Sequence, residues 1–140
     1  MAQETRITVG ATANVPVAKV WEAWNTPDDI IQWNTPDSSW HTPSSENNLT
    51  VGGKFKHRME AKDGSFGFDF EGIYDEVELH KEIAYTLGDE RKVVTLFAEE
   101  DGKTTITTTF DAETENDPEF QKQGWQAILN NFVKYVESTN

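Results

Sequence analysis

The chain has 140 residues, enough for one hydrophobic core and short for two, and is read as a single domain over residues 1–140. Its 12 basic and 25 acidic residues give a formal charge of −13, which repels phosphate backbones and anionic lipid surfaces and speaks against nucleic acid as a partner. There is no cysteine, so disulfides, thiolate catalysis and thiolate metal sites are excluded. No apolar run reaches the ~18–20 residues of a membrane span, and the N-terminus M-A-Q-E-T-R-I-T lacks the basic and apolar segments of a signal peptide, so a cytoplasmic protein without a membrane span is expected.

Thr5 to Ala13 alternates, with Ile7, Val9, Ala11 and Ala13 on one side, and predicts a half-buried strand. Pro16 then opens a short helix whose apolar face is Val17, Val20, Trp21 and Trp24. A second short helix follows, with Thr26 as cap and Pro27 at its first position, and ends near Trp33; Asp28 and Asp29 complement its dipole. Asn34 to Gly53 is rich in Ser, Thr, Asn and Pro without period and predicts a loop longer than the ~12–15 residues usual in compact domains. Trp40 in that loop either plugs the end of the core or belongs to a lid over a pocket.

The middle of the chain reads as antiparallel sheet. A hairpin turn at Asp63-Gly64 sets Met59 against Phe68, His57 against Phe70 and Phe55 against Gly72 on an apolar face. The other face then opposes Arg58 to Asp69 and Lys56 to Glu71, a charge ladder suited to solvent. A turn at Asp101-Gly102 likewise opposes Phe97 to Ile106, Thr95 to Thr108 and Val93 to Phe110 on the inward side. Between the hairpins, Tyr74 to Leu79 ends one strand and Ile83 to Leu87 makes another, closed by Gly88-Asp89-Glu90.

Asp117 to Glu137 has helical periodicity. Asp117 serves as cap, Pro118 as first residue, and Phe120, Trp125, Ile128, Leu129, Phe132 and Val136 form the buried stripe. Gln123, Gln126, Asn130, Lys134 and Glu137 occupy the opposite side, and Gly124 marks a place where backbone and sheet could approach closely. No repeat or linker divides the chain. The expected architecture is α+β, a curved six-stranded antiparallel sheet (β-α-α-β-β-β-β-β-α) wrapped around the long C-terminal helix, the arrangement that buries both apolar faces.

The chain resembles the helix-grip superfamily, which includes START domains and the birch-pollen allergen. It is most similar to the small bacterial members of the activator of Hsp90 ATPase homologue family. The residues that carry the likeness are V-P-V-A-K-V-W-E-A-W-N-T-P-D-D-I-I-Q-W-N at 15–34, S-S-W-H at 38–41, V-G-G-K-F at 51–55, R-M-E-A-K-D-G-S-F-G-F-D-F-E-G-I-Y at 58–74 and Q-G-W-Q-A-I-L-N-N-F at 123–132. The resemblance implies a cavity between sheet and final helix, which many superfamily members use for a lipid, sterol, polyketide or flavonoid-like ligand. The hairpin registers nominate Phe55, His57, Met59, Phe68, Phe70 and Phe97 for its sheet side. Trp33, Trp40, Tyr74, Tyr85, Trp125 and Leu129 complete the candidate lining. The same aromatic face also describes an ordinary packed core.

No catalytic constellation is recognised. The three histidines, His41, His57 and His80, lie on separate elements, so no metal cluster forms, and no cofactor is expected. There is no G-x-S-x-G elbow, and Gly52-Gly53 lacks the Lys-Ser/Thr of a phosphate loop. His57, placed on the apolar face, is the best acid or base candidate; otherwise it is a hydrogen-bonded core histidine. The leading reading is non-catalytic binding of a hydrophobic small molecule. The alternatives are a polyketide cyclase or dehydratase-like enzyme, implied by related folds, and a co-chaperone-type module that contacts protein. The eukaryotic co-chaperone's additional N-terminal domain has no counterpart here, which argues against a direct chaperone role.

Overall fold

The computed structural model describes residues 6–35, 37–114 and 116–139, so Thr5, the expected start of the first strand, lies outside the described residues. In chain order the elements are β1 (Arg6–Ala13), α1 (Val17–Asn25), α2 (Pro27–Trp33), β2 (Trp40–Asn47), β3 (Lys54–Ala61), β4 (Gly67–Glu78), β5 (Glu82–Leu87), β6 (Lys92–Glu100), β7 (Lys103–Asp111) and α3 (Pro118–Ser138). One sheet has the order β1-β7-β6-β5-β4-β3-β2, with every neighbouring pair antiparallel. It has seven strands rather than the expected six. The additional strand, β2, lies inside the stretch read as loop. It is an edge strand of weak β-formers, and its register breaks between His41 and Ser44, where Pro43 cannot donate to a ladder. Edge position and bulge together remove the alternation that would have announced it.

Both hairpin registers stand as expected, through different turns. Asp101 and Gly102 each have positive φ, 53° and 76°, the pair that a two-residue type I′ turn requires. At the other hairpin only Gly64 is left-handed, at φ 77°. Its N–H donates to Ala61 O at 3.0 Å, and Ala61 N–H next meets Phe66 O at 2.9 Å. The connection is thus longer than two residues, while Met59–Phe68, His57–Phe70 and Phe55–Gly72 keep their pairing. On the outer face Arg58 contacts Asp69 at 3.4 Å, but Lys56 lies 3.8 Å from Asp69 instead of reaching Glu71. A bulge between Tyr74 and Glu76 bends the long β4 and helps curl the sheet.

Inside the curl lies α3. Pro118 and Pro27 hold the first positions of their helices as expected, and Asp117 and Thr26 sit at the caps, but neither makes a side-chain cap bond. Thr26 Oγ1 instead donates backwards to Glu22 O at 2.7 Å. Phe120 departs from the expected stripe and is 65% exposed, whereas the neighbouring Gln121 is 8% exposed. The first turn of α3 thus turns Gln121 inward in place of Phe120. There Gln121 accepts Glu113 N–H at 2.9 Å and donates to Asn116 O at 2.8 Å, holding the connection from β7. On the side of α3 expected to face solvent, Gln123, Asn130, Lys134 and Glu137 are exposed, and Gln126 and Glu137 also reach backbone groups along the free edge of β1 and just beyond it. Gln126 accepts from Gly10 N–H at 3.3 Å and donates to Gly10 O at 3.0 Å, and Glu137 accepts Asn14 N–H at 2.8 Å.

The closed core sits under the C-terminal half of α3. Phe132 meets Trp24 and Trp33 edge-on, each at 4.9 Å, and Trp21 packs on Phe97 at 5.3 Å. Phe132 and Val136 are fully buried. Gly124 marks no close approach, since a Cβ there would meet nothing within 4 Å. Among the described residues no helix is long and apolar enough to cross a membrane.

Candidate functional site

Beneath the N-terminal half of α3 the packing opens into a cavity of about 270 Å³. Three positions of the helix form its roof: Trp125, Ile128 and Leu129. Trp125 is held by face-to-face stacking on Phe110, 4.0 Å between centroids at 12°, and by an edge contact with Phe70 at 5.9 Å. The floor is the middle of the sheet, where Thr95 and Thr108 satisfy one another through a buried hydroxyl bond of 2.9 Å.

Phe55 anchors the side wall. Its ring contacts Tyr85 at 4.6 Å, Tyr74 at 5.2 Å and His57 at 5.2 Å. Gly72 opposite makes this possible, because a Cβ there would sit 2.7 Å from Thr86 O and 3.0 Å from the Phe55 ring. Trp24 and Trp33, stacked 5.0 Å apart, close the end towards α1 and α2, with Asn25, Asn34 and Asn47 beside them.

The polar groups on this wall differ in how well they are satisfied. Tyr74 donates to Asn47 Oδ1, and Asn47 Nδ2 donates to Asn25 O at 2.7 Å, so β2 is tied to the α1–α2 junction. Ser45 Oγ lies 2.8 Å from His57 Nδ1. Burial takes the His57 pKa down to about 4, which keeps the ring neutral near pH 7. Burial likewise raises the Tyr74 and Tyr85 phenols, keeping both protonated. The Asn34 Nδ2 is buried without a hydrogen-bond partner among the described residues. Arg91 and Glu113 are the only acidic or basic residues other than His57 in the described lining, and Arg91 Nε is held by Asp89 at 2.6 Å.

Of the twelve residues nominated from sequence, the structure brings Trp33, Phe55, His57, Met59, Phe68 and Phe70 to the cavity, together with Tyr74, Tyr85, Trp125 and Leu129. Phe97 does not line it; it is packed between Trp21 and Trp24 in the closed core. Trp40 does not line it either. Its ring lies 6.1 Å from Phe66 and 6.1 Å from Phe68, a partly exposed aromatic cluster at the end of the β3–β4 hairpin in which Phe68 also lines the cavity. Asn25, Asn34 and Asn47 were missed. A signal for two of them was present, contrary to the expectation of no repeat: W-N-T-P-D occurs at 24–28 and again at 33–37, and each Trp-Asn pair reaches the cavity. Among the described residues no group of three His, Asp or Glu could hold a metal ion.

A curled antiparallel sheet closed over one long helix, with a cavity between them, defines a helix-grip protein. Within that class the chain belongs to the family described as Activator of Hsp90 ATPase homolog 1-like protein, whose pattern matches residues 14–137. It is 46% identical to an AHSA1-like protein from Aeromonas hydrophila, with a TM-score of 0.90 over 96% of this chain and 94% of that one. A Cytophaga hutchinsonii protein is 45% identical, with a TM-score of 0.83 over 96% and 93% of the two chains. A Nitrosomonas europaea protein shares the fold at 17% identity, with a TM-score of 0.83 over 96% of each chain. No curated protein matches the chain.

Proposed function

We propose that the protein binds a hydrophobic small molecule, of the lipid, sterol, polyketide or flavonoid-like kind, between its sheet and α3, without chemical conversion. The observation that carries this reading is the open space of about 270 Å³ under Trp125 and Leu129, walled mainly by aromatic and aliphatic side chains. Sites for drug-sized ligands span about 300–1,000 Å³, so the volume favours compact members of the class. Each ~100 Å² of apolar ligand surface removed from water contributes ~2.5 kcal/mol before the cost of association. Titration with a panel of such compounds, followed by amide chemical shifts and tryptophan fluorescence, tests the reading. Trp24, Trp33 and Trp125 all line the space and report on it directly. Shifts at Trp125 and Phe70, abolished by Ile128→Trp, are expected; silence across the panel refutes the reading.

The cyclase or dehydratase alternative rests on the Ser45–His57 pair at the cavity wall. A general base works best with a pKa near the operating pH, and burial holds His57 at about 4, so binding is the better account. The co-chaperone alternative has its own observation in the partly exposed Trp40, Phe66 and Phe68 cluster. Shifts confined to residues 40 and 66–68 on addition of an Hsp90-type chaperone, with none at Trp125, would favour it.

A further inference from the structure

Arg91 brings a positive charge to the cavity wall. Along β6 the inward parity runs Phe97, Thr95 and Val93, all buried, and Arg91 continues it one residue before the strand begins. With 26% of its side chain exposed, it sits at the opening of the space rather than sealed inside. A guanidinium is a planar fork of N–H donors. Asp89 takes Nε at 2.6 Å, which orients the group and offsets part of its charge, but neither Nη has a hydrogen-bond partner among the described residues. Tyr85 pairs with Val93 across the β5–β6 ladder, so Arg91 is its diagonal neighbour, a separation that long side chains span. Burial is the main cause that raises the Tyr85 phenol, and the Arg91 charge acts against it, so the two groups lie within electrostatic reach. The Tyr85 hydroxyl also bonds no described residue. It and the Arg91 Nη atoms keep accessible surface, whereas Asn34 Nδ2 is sealed. Two donors of one site thus face an aromatic space without an acceptor of their own.

Resting on the binding reading above, we propose that the ligand is a compact aromatic carboxylic acid held as its anion, with the carboxylate on the Arg91 Nη donors and the Tyr85 hydroxyl and the ring among Phe55, Phe70 and Trp125. A planar carboxylate matches the guanidinium fork in two parallel charge-assisted bonds. The rings are in place to receive the body of the molecule: Tyr85 lies 4.6 Å from Phe55 and 6.3 Å from Phe70, and Phe70 lies 5.9 Å from Trp125. Two charges oppose an anion. Glu113, the acidic side chain in the described lining, already accepts Asn116 N–H through Oε1 at 2.9 Å. The formal −13 of the chain acts at longer range, where salt screens it beyond about 8 Å, while the contact with Arg91 is direct.

The test uses two probes of nearly equal shape, 2-naphthoate and its uncharged counterpart 2-naphthamide, titrated at about pH 7 into the ¹⁵N-labelled full chain. Naphthoate is expected to bind about ten-fold more tightly, a ratio equal to ~1.4 kcal/mol. Both probes should shift the Trp125 indole resonance, and naphthoate alone should also shift the amides of residues 89–91. Arg91→Gln should bring the ratio to about one while naphthamide still shifts Trp125, and Tyr85→Phe should weaken naphthoate about three-fold. Naphthamide binding as tightly as naphthoate in the wild type overturns the acid class, and a ratio that survives Arg91→Gln overturns Arg91 as its holder. Unchanged naphthoate affinity in Tyr85→Phe overturns the part given to the hydroxyl. If naphthoate fails to bind while neutral compounds of the wider panel do, the acid class falls and the broader reading stands; silence across the whole panel takes both. Should Arg91→Gln not fold, the wild-type ratio and the shifts at residues 89–91 still decide the question.

Discussion

Replacing His57 with Gln should flatten the acid limb of the protein's stability curve. In the unfolded chain this histidine titrates near its ordinary 6.5, whereas burial against Phe55 holds it near 4 in the folded protein. Between those values the unfolded state carries the extra proton, so stability is lost as pH falls from about 6.5 and the loss is complete below about 4. The difference corresponds to ~2 kcal/mol at about pH 5 and ~3 kcal/mol once both states are protonated. Gln removes the titration but can still hydrogen-bond Ser45 Oγ. Urea unfolding of wild type and His57→Gln at about pH 7 and pH 5, followed by far-UV circular dichroism, measures the effect. The difference between the two proteins cancels contributions from the carboxylates that both share. Equal loss of stability in the two proteins between these pH values would refute the reasoning, because His57 would then be as accessible to protons folded as unfolded.

Other substitutions test the packing. Phe132→Ala should cost ~3–5 kcal/mol, since Phe132 is fully buried between Trp24 and Trp33, while Phe120→Ala on the same helix should stay within ~0.5 kcal/mol; thermal denaturation separates them. Gly72→Ala should destabilise by ~1–3 kcal/mol because its Cβ meets backbone and the Phe55 ring, whereas Gly124→Ala enters open space and should stabilise by up to ~1 kcal/mol. Gln126→Ala should leave both Gly10 backbone groups without their side-chain partner and speed amide exchange at Gly10, with no change at Thr8, whose side chain pairs with Thr109.

How legible each feature was in the sequence follows from how local its cause is. The Asp101-Gly102 turn and the alternation around it determine their register within about twenty residues, and the structure reproduces every pair from Val93–Phe110 to Phe97–Ile106. The Asp63-Gly64 hairpin kept its register although the turn lengthened, because the apolar faces of β3 and β4 match in only that parity. β2 was hidden because Thr42 is its only buried residue, so no alternating pattern was written into it. Phe120 misled because the first turn of α3 buries Gln121, bonded to Glu113 and Asn116, in its place. Ten of the nominated lining residues reach the cavity, but Phe97 is taken by Trp21 and Trp24, and Trp40 by Phe66 and Phe68, through contacts between segments far apart in the chain.

By itself, the sequence determined the element order apart from β2, the hairpin pairing and the face of α3 that turns inward from Trp125 onwards, all consequences of periodicity and turn chemistry acting over a few residues. Only the tertiary structure decided that the grip is closed at one end and open at the other. Trp24 and Trp33, brought in by α1 and α2, fill the space around Phe132, while no side chain fills the space beneath Trp125 and Leu129. A cavity is a difference between the volume a fold encloses and the volume its side chains occupy. Residues from most of the chain contribute to that difference, and no single stretch carries it.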